Sequence, residues 1–468
     1  MSRGVRGGLL RHHRDFRLLW CGETAGKFGA SVTGVAMPLV AVSTLHASTF
    51  EVGLLSATAW APWLIIGLPA GVWVDRLRRR PIMLAAAAAS LVLFASVPFT
   101  AWSGRLSIGL LLAVALLTGT AAVFFQTAYS AYLPSILEPD DQPEGNAKLH
   151  GSASAAQIAG LGSGGLIAQV TGAVNGMFAN AATFAVSLLC LAGIRHREPR
   201  VTRTGRRPAS LVGEVREGLR LVAVDPWIRT FTLFGAASNL ALMGYQSIQV
   251  VFLVRSVGLP PGTVGALIAA TSAGGVAGAV AARGVAHRIG TARATLLFEL
   301  GLPLLGLLIP LTVGGAGVLL FVTGGFSVSA GVVAGNIIKA SFQQRYCPPD
   351  LLGRLTASTA FLSYGTIPIG ALLGGALGTA LGLRTAMAIT TAGVPLAALI
   401  LLFSPIRRSR DLPTSRRPTG SSPLPLHAGG KAASPRSSGS TASAAWASGS
   451  TVSCPRGRER GRRRPGTG

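Results

Sequence analysis

One loop between two apolar stretches reads Gly71-Val72-Trp73-Val74-Asp75-Arg76-Leu77-Arg78-Arg79-Arg80-Pro81. It holds one acidic residue and four arginines, whereas residues 52–74 before it and 82–104 after it contain no Lys, Arg, Asp or Glu. A helix that crosses a bilayer needs roughly 20 predominantly apolar residues. Each flank is therefore long enough to cross a membrane, and the charged loop marks one membrane surface.

The same alternation of apolar stretch and short polar connection continues along the chain in both directions. The stretches are apolar on nearly every side, whereas the strands of a membrane barrel alternate apolar and polar residues. The sequence therefore predicts an all-α polytopic membrane protein with twelve transmembrane helices. They are predicted at residues 17–45, 51–75, 82–103, 106–134, 145–170, 173–194, 227–254, 262–287, 292–312, 314–345, 352–380 and 383–405.

The composition supports a membrane protein and excludes several other classes. Of the 468 residues, 49% are hydrophobic and 12% are charged, whereas soluble domains carry about 25% charged residues. The net charge of +26 lies in loops and in the tail, so we expect contact with the lipid bilayer and no nucleic acid. The four cysteines are far apart and have no CxxC spacing, so neither a metal site nor a cofactor is expected.

The arginines are distributed unevenly between alternate connections. With the N-terminus inside, the inner connections hold the Arg76–Arg80 group and the arginines of 195–229, whereas the outer ones hold only Arg105, Arg255 and Arg384. Basic residues accumulate in cytoplasmic loops. We therefore expect a multi-pass protein of the plasma membrane with both termini in the cytoplasm.

The longest internal connection divides the chain into two sets of six helices. Two short motifs recur at an offset of about 210 residues. Asp75-Arg76 corresponds to His287-Arg288, and Pro139-Asp140 corresponds to Pro349-Asp350. Parallel six-helix halves are a known transporter architecture. The sequence predicts an N-terminal half at 1–195, a cytoplasmic linker at 196–225, a C-terminal half at 226–405 and a disordered cytoplasmic tail at 406–468.

The loop at 71–81 resembles the signature loop of the major facilitator superfamily, in which an Asp-Arg pair follows a Gly-x-x-x lead. Residues 14–20 and 124–134 are similar to the drug and siderophore exporter branch, which includes macrolide-efflux and enterobactin-exporter proteins. The resemblance implies the major facilitator fold over essentially residues 10–405. One departure is Arg78, which stands where the family usually has a small residue.

The resemblance also implies a gate at the cytoplasmic surface. Asp75 would clamp neighbouring helix ends through charge-assisted hydrogen bonds, and Gly71 would allow close helix packing. The partners of Asp75 would be Arg76, Arg79 and Arg80. The alternative is that the arginines only anchor the loop at the membrane surface.

Several ionisable residues fall inside predicted spans, where such groups suggest a functional site. Glu23 and Lys27 are spaced i, i+4 and can pair on one helix face; they are candidates for substrate or proton binding, or for a structural pair. Lys339 follows Asn336 on the tenth helix and either lines the pathway or extends to the interface. Glu299 is a candidate proton carrier without an evident partner.

Polar residues on the fourth and seventh helices are candidates for hydrogen bonds to an amphipathic substrate. Each can also serve as a helix–helix hydrogen bond. Relatives in the exporter branch often have an acid at the position of Gln126, so a proton-coupling role does not transfer to it directly. These candidates are Gln126, Tyr129, Asn239, Gln246 and Gln249.

The resemblance implies a secondary active transporter that exports amphipathic small molecules of antibiotic or siderophore type by proton antiport. Two alternatives stay open: a metabolite permease or importer of the same fold, and a membrane protein that binds or senses a ligand without transporting it. No catalytic spacing of His, Asp and Glu is present, so an enzyme is not expected. The expected partners are a small-molecule substrate and a proton or other coupling ion, and we expect a monomer.

Overall fold

The computed structural model describes residues 8–196, 220, 222–347 and 349–413, with backbone alone for 68, 72, 75, 349–354 and 357. All of these residues lie in one compact unit. Most of the predicted linker and of the predicted tail lies outside the described residues. The four predicted domain boundaries stay predictions.

The described residues form twelve long helices in the predicted order, which confirms the predicted fold class. π-helical turns continue the first and seventh helices at Val40–Thr44 and Phe252–Ser256, and short helices lie at Leu9–His12, Gly315–Gly317 and Pro405–Arg408. The long helices are α1 Arg14–Leu39, α2 Thr49–Ile65 continued by Gly67–Arg76, α3 Arg79–Trp102, α4 Ile108–Ile136, α5 Gln142–Thr171, α6 Ala173–Gly193, α7 Pro226–Val251, α8 Pro261–Ile289, α9 Thr291–Leu296 continued by Leu297–Gly301 and Pro303–Leu311, α10 Val318–Tyr346, α11 Pro349–Ala380 and α12 Leu383–Leu402.

Ten of these helices are long and apolar enough to cross a membrane by themselves, and the other two are α2 and α5. An irregular residue, Ile66, divides α2 into segments of 17 and 10 residues. It lies three residues before Pro69, which has no amide hydrogen to bond the Ile65 carbonyl and whose ring disfavours a continuous helix in the preceding turn. The second exception, α5, is less apolar because it carries polar side chains along one side, including Asn146, His150 and Gln157.

The two sets of six helices repeat the same packing. In the first set α1 packs against α5 and α6, and α3 against α4 and α6; in the second set α7 packs against α11 and α12, and α9 against α10 and α12. The sets meet along two lines, α5 with α8 and α2 with α11. Under the repeat α2 corresponds to α8 and α5 to α11, so the two contacts between the sets are equivalent. The fold therefore has two six-helix halves.

We call the end of the bundle that holds Arg14 and Arg76 the terminal face, and the other end the opposite face. At the opposite face the halves touch closely. A Cβ atom built on Gly165 of α5 would lie 2.7 Å from the Cα atom of Gly265 on α8, and one built on Gly53 of α2 would lie 2.8 Å from that of Gly375 on α11. Only glycines allow helix backbones to approach so closely.

Two hydrogen bonds add to this closure at the opposite face. The Arg255 Nη2 atom donates to the Ala47 carbonyl oxygen at 2.7 Å, and the Gly262 amide donates to the Gln169 side chain at 2.9 Å. Both bonds join residues of different halves. The halves are therefore held together at the opposite face.

At the terminal face several side-chain hydrogen bonds join elements of the same half. Arg80 donates to two carbonyl oxygens at the end of α6, and Tyr346 donates to Asp225 at 3.0 Å. Thr291 and Asp411, both in the second half, are also bonded. The space between the halves is thus closed at the opposite face.

Candidate functional site

A cavity of about 950 Å³ lies between the two halves. Its walls come from α1, α2, α4 and α5 of the first half and from α7 and α8 of the second. Pockets that hold drug-sized ligands measure about 300–1,000 Å³. The cavity is therefore large enough for such a molecule. Contacts between the halves at the opposite face close one end of it.

The charged residues on this cavity are Glu23 and Lys27 of α1, as their i, i+4 spacing suggests. The Lys27 Nζ atom lies 3.4 Å from Glu23 Oε1, and 7% of the Glu23 side chain is exposed against 42% for Lys27. The same Nζ atom donates to Gln126 Oε1 of α4 at 3.1 Å. Lysine therefore joins a buried carboxylate and a neutral amide across two helices of the first half.

Most of the predicted polar candidates also lie on the cavity. Gln126 and Tyr129 of α4 face it, as do Gln246 and Gln249 of α7. The aromatic rings of Phe125 and Tyr129 stack with centroids 6.4 Å apart. The structure thus brings charged, phenol and amide groups of the first half and amide groups of the second half to one site. The rest of the cavity wall includes apolar side chains.

The predicted residues Asn239, Glu299, Asn336 and Lys339 are not among the residues that line the cavity. Asn239 donates to the Ser363 carbonyl oxygen at 3.1 Å, so it joins α7 to α11. Asn336 is exposed on α10. These side chains belong to the packing and surface of the second half.

Glu299 has a charged neighbour that the sequence did not reveal. It lies buried in the π-helical turn of α9, its carboxylate packs against Gly335 of α10, and its charge interacts with that of Lys339. The sequence shows no evident partner for Glu299, and its role as a proton carrier stays a prediction. Residues 299 and 339 are distant in sequence, and helix packing brings them together.

The predicted gate residues lie at the terminal face with different surroundings. Gly71 has open space where a Cβ atom would be, so the expected close packing at Gly71 is absent here. Arg76 is exposed and Arg79 is half-buried, and the side chain of Asp75 lies outside the described part of the structure. The gate assignment therefore stays a prediction.

Arg80 has a partner other than the expected carboxylate. Its Nε and Nη2 atoms donate to the carbonyl oxygens of Leu191 at 3.2 Å and Ala192 at 2.7 Å. The last carbonyls of a helix have no partner within it, and a cation is favourable at that end. In this conformation Arg80 caps α6, and its pairing with Asp75 stays a prediction.

A polar stripe on α5 was missed by the sequence analysis. Asn146, His150, Ser154 and Gln157 all line the cavity. Their spacing of four, four and three residues is that of one helix face. This stripe is visible in the sequence of the fifth span, where it was not weighed because no member is strongly charged.

A second lysine–carboxylate pair ties the N-terminal segment to α5, just before the predicted span 145–170. Lys148 lies 2.8 Å from Glu144, and the Leu9 amide donates to Glu144 at 3.1 Å. The hydrogen bond from Lys148 and then that from Leu9 hold the pKa of Glu144 below its ordinary value. A lowered pKa means that folding favours the carboxylate, so this contact persists at neutral pH and is lost as the pH falls through that value.

Replacing Glu144 with glutamine should therefore release the helix Leu9–His12 at pH 7. We expect faster hydrogen–deuterium exchange in residues 9–12, measured by mass spectrometry, because a neutral amide binds the Leu9 amide and Lys148 more weakly. Glu51→Gln is the control, since Glu51 caps α2 at the opposite face. Equal exchange of residues 9–12 in wild type and Glu144→Gln would contradict the assignment.

Comparison with known proteins identifies the family. The model of the Major Facilitator Superfamily matches residues 19–370. The chain is 25% identical over 425 residues to the multidrug efflux pump Tap of Mycolicibacterium fortuitum, covering 88% of this chain and 99% of that protein. It is 26% identical over 408 residues to the multidrug efflux pump Tap of Mycobacterium tuberculosis, covering 84% and 95%.

Solved structures show the same fold at low sequence identity. A variant of the nucleoside transporter NupG superposes with a TM-score of 0.71 at 11% identity, covering 83% of this chain and 99% of that one. A bacterial homologue of the iron transporter ferroportin in an inward-facing state superposes with a TM-score of 0.66 at 16% identity, covering 85% and 99%. With its twelve helices and the matched family model, the chain is a membrane transporter that belongs to the Major Facilitator Superfamily.

Proposed function

We propose that this transporter exports amphipathic small molecules across the plasma membrane in exchange for protons, and that Glu23 carries the proton. The observation that carries the proposal is a buried carboxylate on the wall of a drug-sized cavity. The relatives named multidrug efflux pumps support export of such compounds. The arginine distribution favours a cytoplasmic terminal face, with both termini inside.

Glu23 suits proton exchange because of where it lies. It is the one carboxylate on the cavity wall among the described residues. A carboxylate held away from bulk water is costly without a cation or a proton. Glu23 can therefore bind a proton from cavity water when the cavity opens to one side and release it when the cavity opens to the other.

The closed opposite face supports alternating access around this cavity. Glycine pairs hold the halves together at that face, and we propose that the cavity opens toward the terminal face. In the alternative state the terminal face would close, and the loop with Asp75 and its arginines would become a contact between helix ends. One chain provides both halves and the gate between them, so we also propose that the monomer is the transporting unit.

Purified protein in liposomes tests the proposal directly. Ethidium is the probe, and a pH-sensitive dye reports proton movement in the same vesicles. We expect a proton gradient to drive ethidium accumulation, and an uncoupler to abolish it. Ethidium transport that is indifferent to the proton gradient would overturn proton exchange, whereas failure to transport a broad panel of amphipathic dyes would favour a permease for another metabolite.

Asp75→Asn tests the gate. We expect proton-driven ethidium transport to fall about tenfold, because a neutral amide makes weaker hydrogen bonds to arginine than a carboxylate does. Insertion should stay intact, as measured by membrane yield and gel-filtration profile. Arg105→Gln is the control, since Arg105 lies in a connection at the opposite face. Unchanged flux in Asp75→Asn would remove the gate assignment.

A further inference from the structure

The two residues of the ion pair on the cavity wall, Glu23 and Lys27, differ in their access to water. The Glu23 side chain is 7% exposed, whereas the Lys27 side chain is 42% exposed. Lys27 also has a second partner, the Gln126 amide oxygen at 3.1 Å. If the pair separates, Lys27 keeps both water and an acceptor, whereas Glu23 is left as an uncompensated buried charge.

This inequality determines which ion can enter the pair. A cation that takes the place of Lys27 beside Glu23 leaves both charges compensated. An anion that binds Lys27 would draw the ammonium group away from Glu23 and leave the buried carboxylate alone. The pair is therefore built to exchange its cation, and the entering group is a positively charged one.

The surroundings of the pair suit an organic cation better than a metal ion. Trp60 and Tyr129 lie on the same cavity wall, and aromatic rings attract ammonium groups through cation–π interactions. The described residues contain no cluster of three or more His, Cys, Asp or Glu that could hold a metal ion. The remaining wall includes apolar side chains such as Met37 and Leu55 that can contact an apolar body.

We propose that Lys27 is a tethered competitor for a cation site at Glu23, so that the cavity selects amphipathic organic cations that must displace the lysine ammonium group. This inference rests on the proposed function for its site, but not on proton coupling. In the empty transporter Lys27 compensates the charge of Glu23. Substrate, proton and Lys27 then share one carboxylate.

The other titratable groups that face this carboxylate are few. Tyr129 of α4 and His150 of α5 line the same cavity, and holding the pH at 8 in every measurement keeps the state of both groups the same. At that pH a change in cation binding therefore reports on Lys27. A permanent cation also removes the protonation of the ligand from the measurement.

Calorimetric binding of tetraphenylphosphonium to detergent-purified protein at pH 8 tests the proposal. Lys27→Met removes the competing charge and keeps the unbranched side chain. We expect its Kd for this cation to fall about tenfold, the effect of roughly 1.4 kcal/mol of lost competition and repulsion. Lys148→Met is the matched control, because Lys148 forms the other i, i+4 pair with a glutamate, and its Kd should equal that of wild type.

Two more variants separate competition from a structural role. Lys27→Arg keeps a cation beside Glu23 and should retain the wild-type Kd, whereas Lys27→Gln should bind as tightly as Lys27→Met. The melting temperature of each variant is measured to confirm folding. A structural role alone would weaken binding in Lys27→Met and Lys27→Gln alike.

The outcomes distinguish this inference from the proposed function. An unchanged or raised Kd in both neutral variants would overturn the competition. If tetraphenylphosphonium binds neither the wild type nor the variants, the cation class is wrong, although proton-driven export of other compounds could still be observed in liposomes. Tighter binding in the neutral variants, without transport in liposomes, would support the cation site and contradict the proposed export.

Discussion

Glu23→Gln is expected to abolish proton-driven accumulation of ethidium in liposomes. Glutamine resembles the protonated acid but cannot release a proton, so the variant lacks the exchange step that couples the two fluxes. We expect the gradient-driven rate to fall at least about tenfold, since compensating a buried charge is worth several kcal/mol and each 1.4 kcal/mol is a factor of ten. Transport of an uncharged dye down its own gradient should continue.

The control for this prediction is Glu144→Gln. Glu144 is also paired with a lysine one turn away, but it lies outside the cavity, so its loss should leave the rate unchanged. Gradient-driven accumulation at the wild-type rate in Glu23→Gln would show that the proton is carried elsewhere. Glu299, buried near Lys339 in the second half, would then be the next residue to replace.

Gly165→Leu is expected to prevent closure of the opposite face. A side chain at this position would meet the Gly265 backbone of α8 and the Pro261 carbonyl oxygen, and the backbones cannot move apart while the face stays closed. Overpacking of this kind costs about 1–3 kcal/mol. The variant should therefore favour the state in which the opposite face is open, and it should transport poorly.

Accessibility of a cysteine reporter measures that shift. Ser56 lies on the cavity wall, so Ser56→Cys in a background without native cysteines reports on access through the opposite face. We expect a membrane-impermeant maleimide to label it about tenfold faster with Gly165→Leu, as an overpacking penalty near 1.4 kcal/mol implies. Gly151→Leu is the control, because Gly151 lies on the same helix with open space beside it. Equal labelling in the two variants would contradict the gate at Gly165.

Helix number and order could be predicted from the sequence because long, mainly apolar stretches alternate with charged connections, although α2 and α5 are not long and apolar enough by themselves. The interruption of α2 at Ile66 and the π-helical turns at Val40–Thr44 and Phe252–Ser256 could not. They depend on how individual carbonyl groups are satisfied after the helices pack. The pairing of Glu23 with Lys27 was predictable, since both lie on one helix at a fixed spacing.

Contacts between distant segments were beyond the sequence analysis. The link from Lys27 to Gln126, the neighbourhood of Glu299 and Lys339, and the capping of α6 by Arg80 each join helices far apart in the chain. A single sequence does not say which helices are neighbours. The polar stripe on α5 is a different case, because its spacing was present in the sequence and marks the wall of the cavity.

The helix backbones are in direct contact, with no side chain between them, where Gly53 faces Gly375 and Gly165 faces Gly265. Bringing such surfaces together immobilises no long side chain, and glycine has no rotamer freedom to lose. These glycines are not among the residues that line the cavity, so they discriminate little between one transported compound and another. Changes in the range of compounds handled should therefore arise on the cavity wall, whereas changes in turnover should arise along the glycine contacts, and the two properties can evolve separately.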